Sequence, residues 1–149
     1  MKKPRPGLQL SAGVFLTIPA GIVLVSEGPK GFLKAGGGHW EPEDDLDDAS
    51  IEVIAQRVAC RELGEETGIL LPLDRFTFVD VEDRDISRGP HQYFLFSARA
   101  SMGEYESRKP PTQARMRTHL LTPEELKNLE QRVVPLHRGM FKRNNLWPA

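Results

Sequence analysis

Three glutamates crowd one short segment of the sequence, Arg61-Glu62-Leu63-Gly64-Glu65-Glu66-Thr67-Gly68-Ile69. If the segment is helical, Glu62, Glu65 and Glu66 share one face within an arc of roughly 100°. Like charges at this spacing repel one another, and the negative end of the helix dipole disfavours them further. Either this face is simply solvated or a cation compensates its charge, and we favour the cation. Oxygen ligands of this kind suit Mg²⁺ or Mn²⁺.

The same segment resembles the second half of a known motif, the Nudix box, which reads Arg-Glu-apolar-any-Glu-Glu-any-Gly-apolar. The first half is also recognisable, because Gly36-Gly37-Gly38 looks like the glycine loop of that family, with Gly38 at its opening position. Asp44 replaces the early glutamate of the family, and the stretch from Asp44 to Arg61 is nine residues longer than the family pattern. We interpret residues Asp45 to about Val53 as an insertion that lengthens the helix at the end away from the carboxylates.

The resemblance to the Nudix family implies a hydrolase that cleaves a pyrophosphate bond in a nucleoside diphosphate linked to another moiety, by water attack at phosphorus. By position, Glu65 and Glu66 would be metal ligands, with the carbonyl of Gly37 as a candidate further ligand. Glu62 would be a metal ligand or the general base, and the family pattern leaves this choice open. Arg61 would orient Glu62 or another carboxylate of the box, a role that its rigid fork of donors suits. Arg61, Glu62 and Glu65 are therefore the expected catalytic residues.

Residues outside this helix would complete the site. Gly38, Arg84 and His91 are the candidates for substrate binding, and Arg88 is a further cation that could meet a phosphate. In some family members an acid from a distant loop binds metal or acts as the base. Glu104 and Glu106 are the candidates for that role here. For the charged residues of this group, a solvated surface position is the alternative interpretation.

A second hypothesis is a catalytically weak Nudix domain that binds a nucleotide and acts as a regulator. The complete set of Arg61, Glu62, Glu65 and Glu66 favours catalysis, whereas the stretched box favours the regulator. No motif in the sequence identifies the substrate. Nucleoside triphosphates, dinucleoside polyphosphates, nucleotide sugars and ADP-ribose all contain the pyrophosphate group that the box recognises.

Composition and length narrow the setting in which this chemistry would operate. A chain of 149 residues suits one domain, residues 1–149. The net charge of −1, without a basic excess, disfavours binding to a nucleic-acid backbone. No apolar stretch approaches the length of a membrane span, and a single cysteine, Cys60, is typical of a reducing cytosol. We therefore expect a cytoplasmic protein that does not bind membranes, with a homodimer as a candidate assembly.

Hydrophobic patterning alone predicts an α+β or an α/β fold, and the resemblance to the Nudix family implies the α+β class, as an α/β/α sandwich with a mixed β-sheet. The predicted strands are Gln9 to Ile18, Gly21 to Val25, Arg75 to Val81, His91 to Ala100 and Ala114 to Leu121, with His91 to Ala100 in the sheet interior. The predicted helices run from Asp48 or Ser50 to Thr67, from Thr122 to about Gln131, and around His137 to Arg143. The segments Glu82 to Pro90 and Ser101 to Pro111 are predicted to be loops.

Overall fold

Six strands form one mixed sheet in the computed structural model, which describes residues 9–86 and 89–149. The strands are β1 (Gln9–Ile18), β2 (Gly21–Glu27), β3 (Gly36–His39), β4 (Thr77–Ile86), β5 (Gly89–Arg99) and β6 (Met116–Leu121). The helices are α1 (Ile51–Thr67), α2 (Met102–Glu106), α3 (Pro123–Asn128) and α4 (Pro135–Arg143). Short 3₁₀ turns occupy Pro42–Asp44, Leu73–Arg75 and Glu130–Arg132.

Strand β1 lies at the centre of the sheet and changes its partner halfway along. The strand order is β4-β5-β1-β2-β6, and β1 runs parallel to β5 while the other pairs are antiparallel. On its other side, β1 pairs with β3 over Ser11–Val14 and then with β2 over Leu16–Ile18. The four-residue strand β3 therefore lies beside only the first half of β1.

Helices cover both faces of the sheet. Successive side chains of a strand point to opposite faces, so β1 contributes to two apolar clusters. Val14 packs with Val58 and Leu63 of α1 on one face. Phe15 packs with Phe141 of α4 on the other face, where their ring centroids are 4.8 Å apart. The predicted α+β sandwich with a mixed sheet is confirmed.

Helix α1 begins and ends close to where the sequence predicts. The hydroxyl of Ser50 accepts a hydrogen bond from Val53 N, and Gly68 ends the helix in the left-handed conformation at φ 76°. Because the helix begins at Ile51, the inserted residues are divided between a loop and the first helical turn. Cys60 is half-buried and packs against the core that α1 forms with the sheet.

Two segments predicted as loops contain regular structure. Strand β4 continues to Ile86 and β5 begins at Gly89, so most of the segment predicted as a charged loop forms a β-hairpin. Strand β4 is at the edge of the sheet, and an edge strand tolerates alternating charged residues because one of its sides faces solvent. In the sequence, the charged residues of this segment therefore resemble those of a loop. Ser101 and Glu104 form a capping box that begins α2 within the second predicted loop. Ser87 and Arg88 lie outside the described residues.

The last elements differ from the prediction mainly in their boundaries. Leu73–Arg75 forms a 3₁₀ turn, so β4 begins at Thr77 and not at Arg75. The helix that begins after Thr122 ends at Asn128, and a separate 3₁₀ turn follows it. The helix predicted near the end of the chain starts earlier, at Pro135, because proline is well suited to the first helical turn. Among the described residues, no helix is both long and apolar enough to cross a membrane.

Candidate functional site

The last turns of α1 direct two buried glutamates toward the glycine strand. Glu62 and Glu66 are four residues apart and therefore lie on the same helix face. They are only 6% and 2% exposed, whereas the side chain of Glu65 is 34% exposed. Leu63, on the neighbouring face, packs in the core and fixes the rotation of the helix. Two neighbouring carboxylates are thus buried on the same face of α1. Their burial costs free energy unless their charge is compensated.

Strand β3 lies directly against these carboxylates because it is made of glycine. The N–H of Gly37 donates a hydrogen bond to Oε1 of Glu66 at 2.6 Å. A Cβ atom at Gly38 would lie 2.5 Å from the carboxyl carbon of Glu62, closer than van der Waals contact allows. A side chain at position 38 would therefore displace the carboxylate of Glu62 from its present position. The structure brings the predicted residues Gly37 and Gly38 to the carboxylates, with the N–H of Gly37 as the contacting group.

Arg61 is the centre of a network of carboxylates. Its guanidinium binds Asp44 through two hydrogen bonds of 2.8 Å, Nε to Oδ1 and Nη2 to Oδ2. Its Nη1 donates to Oε1 of Glu62 at 3.0 Å and to Oε2 of Glu65 at 2.7 Å. The hydrogen bonds to Asp44 are the first cause of a raised pKa for Arg61. Asp44, which stands where the family has glutamate, thus holds Arg61 in place against the box carboxylates.

The network carries more negative than positive charge. Besides Asp44, Glu62 and Glu65, the carboxylates of Glu41 and Glu43 lie 3.9 and 3.7 Å from the same guanidinium. Burial raises the pKa of Glu66 to about 7, and burial is also the first cause of the raised pKa of Glu62. The single positive charge of Arg61 does not balance the negative charge of these carboxylates. Binding of a further cation would therefore be electrostatically favourable.

The donor set fits a divalent cation in chemistry, although the metal ligands are not preassembled. Within the described part of the chain, no three acidic, histidine or cysteine side chains stand at the spacing of a formed metal site. Glu65 Oε2 accepts a hydrogen bond from Arg61 Nη1 at 2.7 Å. Glu62, Glu65 and Glu66 nevertheless supply hard oxygen ligands on one helical turn, and burial is the first cause that raises the pKa of Glu66 to about 7. These three residues could hold Mg²⁺ or Mn²⁺.

A cavity of about 280 Å³ lies beside the glycine strand, and the candidate substrate-binding residues meet there. Gly38, Arg84 and His91 all line this cavity, together with Gly37. The other lining residues are Ser11, Lys34, Ala35, His39, Tyr93, Val134, Leu136 and His137. Strands β1, β3, β4 and β5 and the start of α4 therefore form its wall.

The histidines of the cavity are held by specific contacts. Ser11 Oγ and His91 Nε2 are 2.7 Å apart, and the ring of His39 lies edge-on to that of His91 at 5.8 Å. His137 Nδ1 accepts a hydrogen bond from the backbone N–H of Ala35 at 2.9 Å. Burial lowers the pKa of His137 to about 3 and is the first cause of the lowered pKa of His91. Both of these imidazoles are therefore neutral at physiological pH.

The two candidate acids from a distant loop, Glu104 and Glu106, are not among the residues that line this cavity. Glu104 binds Arg75 through both carboxylate oxygens, at 3.0 and 3.1 Å, and caps α2 at Ser101. Glu106 is exposed at the end of α2. In the described residues, neither Glu104 nor Glu106 forms a hydrogen bond or ion pair with the carboxylates of α1. Their predicted role stays a prediction.

Sequence reasoning missed three residues that the structure brings to the site. Gln113 Nε2 lies 3.5 Å from Oε2 of Glu62, because the loop before β6 is hydrogen-bonded to the backbone of α1 at Glu65. Lys34 and His137 line the cavity. A lysine two residues before a glycine strand was a signal that could have identified Lys34. Nothing in the local sequence marks Gln113 or His137.

Comparison with known proteins identifies the fold. A Nudix hydrolase from Nitrosomonas europaea aligns with a TM-score of 0.65 at 19% sequence identity, over 94% of this chain and 90% of that chain. A MutT protein from Methanosarcina mazei aligns with a TM-score of 0.64 at 16% identity, over 96% of both chains.

A bifunctional NMN adenylyltransferase/ADP ribose pyrophosphatase from Francisella tularensis, complexed with AMP and a manganese ion, gives a TM-score of 0.60 at 15% identity. That alignment covers 91% of this chain and 40% of the other. No protein-family model and no curated protein sequence matches the chain. The structural similarity shows that this chain has the Nudix fold, as the box predicted.

Proposed function

We propose that the chain is a Nudix pyrophosphohydrolase that cleaves a nucleotide-type substrate with the help of Mg²⁺ or Mn²⁺. The observation that carries the proposal is the pair of buried carboxylates, Glu62 and Glu66, facing a glycine strand beside a cavity with two cations. Proteins that share the fold include an ADP ribose pyrophosphatase complexed with AMP and manganese. Fold and box therefore support the same reaction class, hydrolysis of an acid anhydride.

Each residue of the box has a part in the proposed reaction. Glu65 and Glu66 would hold the cation, and Glu62 would be either a further ligand or the general base. The cation would supply positive charge to neutralise phosphate oxygens and acidify a water molecule. As the base, Glu62 would accept the proton of the attacking water, and burial raises the pKa of its carboxyl group. Arg61 fixes Oε1 of Glu62, and Gln113 lies near Oε2. Asp44 acts at one remove by orienting Arg61.

A second candidate function is nucleotide binding without hydrolysis, as a regulator. The contacts of Arg61 favour it, because this side chain occupies oxygens of both Glu62 and Glu65. In that case the cavity would bind a nucleotide while Arg61 takes the place of the metal. The two candidates differ in one measurable respect, since only a hydrolase cleaves the bound nucleotide into two phosphate-containing products.

Several features of the setting belong to the same proposal. We propose one domain over residues 1–149 and a cytoplasmic location, which the single cysteine favours. A net charge of −1 favours small-molecule substrates over nucleic acids. A homodimer remains the candidate assembly, and its test is the mass of the protein in solution.

Hydrolysis and metal binding test the proposal together. The purified protein is screened with Mg²⁺ and Mn²⁺ against nucleoside triphosphates, dinucleoside polyphosphates, nucleotide sugars and ADP-ribose. With the best substrate, Glu65→Gln and Glu66→Gln should each lower kcat at least about 100-fold, because each removes a charged oxygen ligand. Glu52→Gln is the matched control, since Glu52 is an exposed glutamate in the first turn of the same helix.

Three outcomes separate the candidates. Loss of activity in Glu66→Gln but not in Glu52→Gln supports the hydrolase. Nucleotide binding by the wild type without cleavage of the nucleotide, under all metal conditions, supports the regulator. An active enzyme whose rate is unchanged in both Glu65→Gln and Glu66→Gln would contradict the assigned metal site.

A further inference from the structure

The cavity beside β3 shares a wall with the carboxylates of α1. Gly37 and Gly38 line the cavity, and the same two residues contact Glu66 and Glu62. The two regions therefore lie on either side of β3. A substrate whose pyrophosphate group lies at the carboxylates would place its adjoining groups in this cavity.

The cavity contains two cations that form no salt bridge among the side chains that the structure describes. These are Lys34 and Arg84, and the charge of Lys34 lowers the pKa of Glu66 from the other side of β3. No aspartate or glutamate side chain lines the cavity. The charges of Lys34 and Arg84 contribute, after burial, to the lowered pKa of His137. The cavity therefore contains two positive charges and no carboxylate of its own.

Two buried polar atoms of the cavity residues also lack a partner. His91 is 7% exposed and Tyr93 is 6% exposed, yet His91 Nδ1 and the hydroxyl of Tyr93 form no hydrogen bond within the described structure. Buried polar atoms are almost always hydrogen-bonded in native proteins, so these two atoms require a partner that the protein does not supply, either water or a group of a ligand. If the Ser11 hydroxyl donates to His91 Nε2, the free Nδ1 carries the proton and is a donor. Lys34, Arg84, His91 and Tyr93 can then all donate.

We propose that this cavity binds a phosphate group of the substrate that lies beyond the scissile anhydride. A phosphate offers several acceptor oxygens and negative charge, which is what a set of donors and unpaired cations requires. A nucleobase offers donors as well as acceptors and carries no charge, so it would bring no negative charge to the two cations of the cavity. The inference rests on the proposed function and narrows its substrate class to nucleotides with at least one phosphate more than the pyrophosphate that is cleaved.

Binding without metal tests the inference independently of catalysis. Inorganic triphosphate is titrated into the full-length protein in EDTA by calorimetry, with adenosine as a neutral ligand for comparison. Triphosphate should bind, and Lys34→Met and Arg84→Gln should each weaken it about tenfold by removing one charged donor. Lys30→Met, at an exposed lysine of the neighbouring loop, is the matched control and should leave the affinity unchanged.

Tyr93→Phe separates a ligand contact from a structural role. Removing a buried hydroxyl that has no partner should leave the melting temperature unchanged or raise it. If the hydroxyl binds phosphate, the same variant nevertheless binds triphosphate several-fold more weakly. An unchanged triphosphate affinity in all three cavity variants would overturn the inference, as would binding of adenosine with no binding of triphosphate.

Kinetics provide a second readout if the chain is a hydrolase. The wild type should have a higher kcat/KM for a nucleoside triphosphate or dinucleoside tetraphosphate than for a nucleotide sugar, and Lys34→Met should reduce this preference about tenfold, mainly through KM. A preference for nucleotide sugars that Lys34→Met leaves intact would contradict the inference. Triphosphate binding that depends on Lys34, in a protein that hydrolyses none of the substrates, supports the cavity assignment and contradicts the hydrolase.

Discussion

At the scale of single residues, the carboxylates of α1 depend on the arrangement around Arg61. The guanidinium bonds to Asp44 on one side and to Glu62 and Glu65 on the other. Asp44 is 3% exposed, so its charge is nearly removed from water and relies on Arg61 for compensation. The shorter aspartate reaches Arg61 because the 3₁₀ turn Pro42–Asp44 brings it close to α1.

This arrangement predicts a stability effect for a substitution that removes one charge. Asp44→Asn should lower the free energy of unfolding by about 2 kcal/mol, because it weakens two charge-assisted hydrogen bonds in a buried place. Asp45→Asn, one position along, should change it by less than about 0.5 kcal/mol. Equilibrium unfolding in urea at pH 7.5 measures both. Equal stabilities of the two variants would show that Arg61 does not need Asp44.

At the scale of elements, the junction between α1 and the loop before β6 holds the site together. Gly68 ends α1, and its carbonyl accepts a hydrogen bond from Lys109 N at 3.0 Å. The carbonyl of Glu65 accepts hydrogen bonds from the N–H groups of Thr112 and Gln113. This is how a loop distant in sequence brings the side chain of Gln113 to Glu62.

Substitution of the glycine at this junction should be costly. Gly68→Ala would place a Cβ at φ 76°, in overlap with the carbonyl oxygen of Lys109, so the loop would have to move. We expect a loss of at least about 2 kcal/mol in unfolding free energy. Gly139→Ala is the control, because a Cβ at this position of α4 meets no atom within 4 Å. It should be neutral or stabilise the protein by up to about 1 kcal/mol. Thermal unfolding of both variants decides, and a tolerated Gly68→Ala would refute the close junction.

At the scale of the whole molecule, helices from both faces of the sheet contact the segment around β3. Helix α4 packs on the face opposite α1, and its His137 accepts a hydrogen bond from Ala35, just before the glycine strand. The ring of His137 also lies 5.0 Å from that of Tyr93. The position of α4 therefore determines the shape of the cavity next to the carboxylates.

The buried His137 predicts how stability depends on pH. Burial, with smaller contributions from the charges of Lys34 and Arg84, lowers the pKa of His137 to about 3 in the folded protein. In the unfolded chain the imidazole takes up a proton near pH 6.5, so unfolding binds a proton between about pH 6.5 and pH 3. Stability is therefore highest, with respect to this group, above pH 6.5 and falls on acidification.

The expected loss from this histidine is roughly 2 kcal/mol between pH 7.5 and pH 5. His137→Asn, whose amide oxygen offers an acceptor to Ala35, should remove that part of the pH dependence. Urea unfolding of wild type and variant at several pH values in this range gives the difference directly. The same slope in both proteins would show that His137 is accessible to protons in the folded state.

The features that sequence reasoning predicted correctly are mainly local. The cap at Ser50, the stop at Gly68 and the face shared by Glu62 and Glu66 follow from helical geometry and nearby residues alone. The β4–β5 hairpin was missed because its charged residues look like a loop unless the edge position of β4 is known. The contact of Gln113 with Glu62 was missed because it joins residues 51 positions apart.

The sequence by itself determined the chemistry of α1, because a helix places neighbouring residues at fixed angles whatever surrounds it. It also indicated that the glycine segment Gly36-Gly37-Gly38 would lie next to the carboxylates of α1. Only the tertiary structure decided which cations and histidines surround the cavity. Ser11 meets His91 across 80 positions and Ala35 meets His137 across 102. Such contacts depend on strand pairing and on helix packing over the whole chain, and no local rule of spacing fixes them.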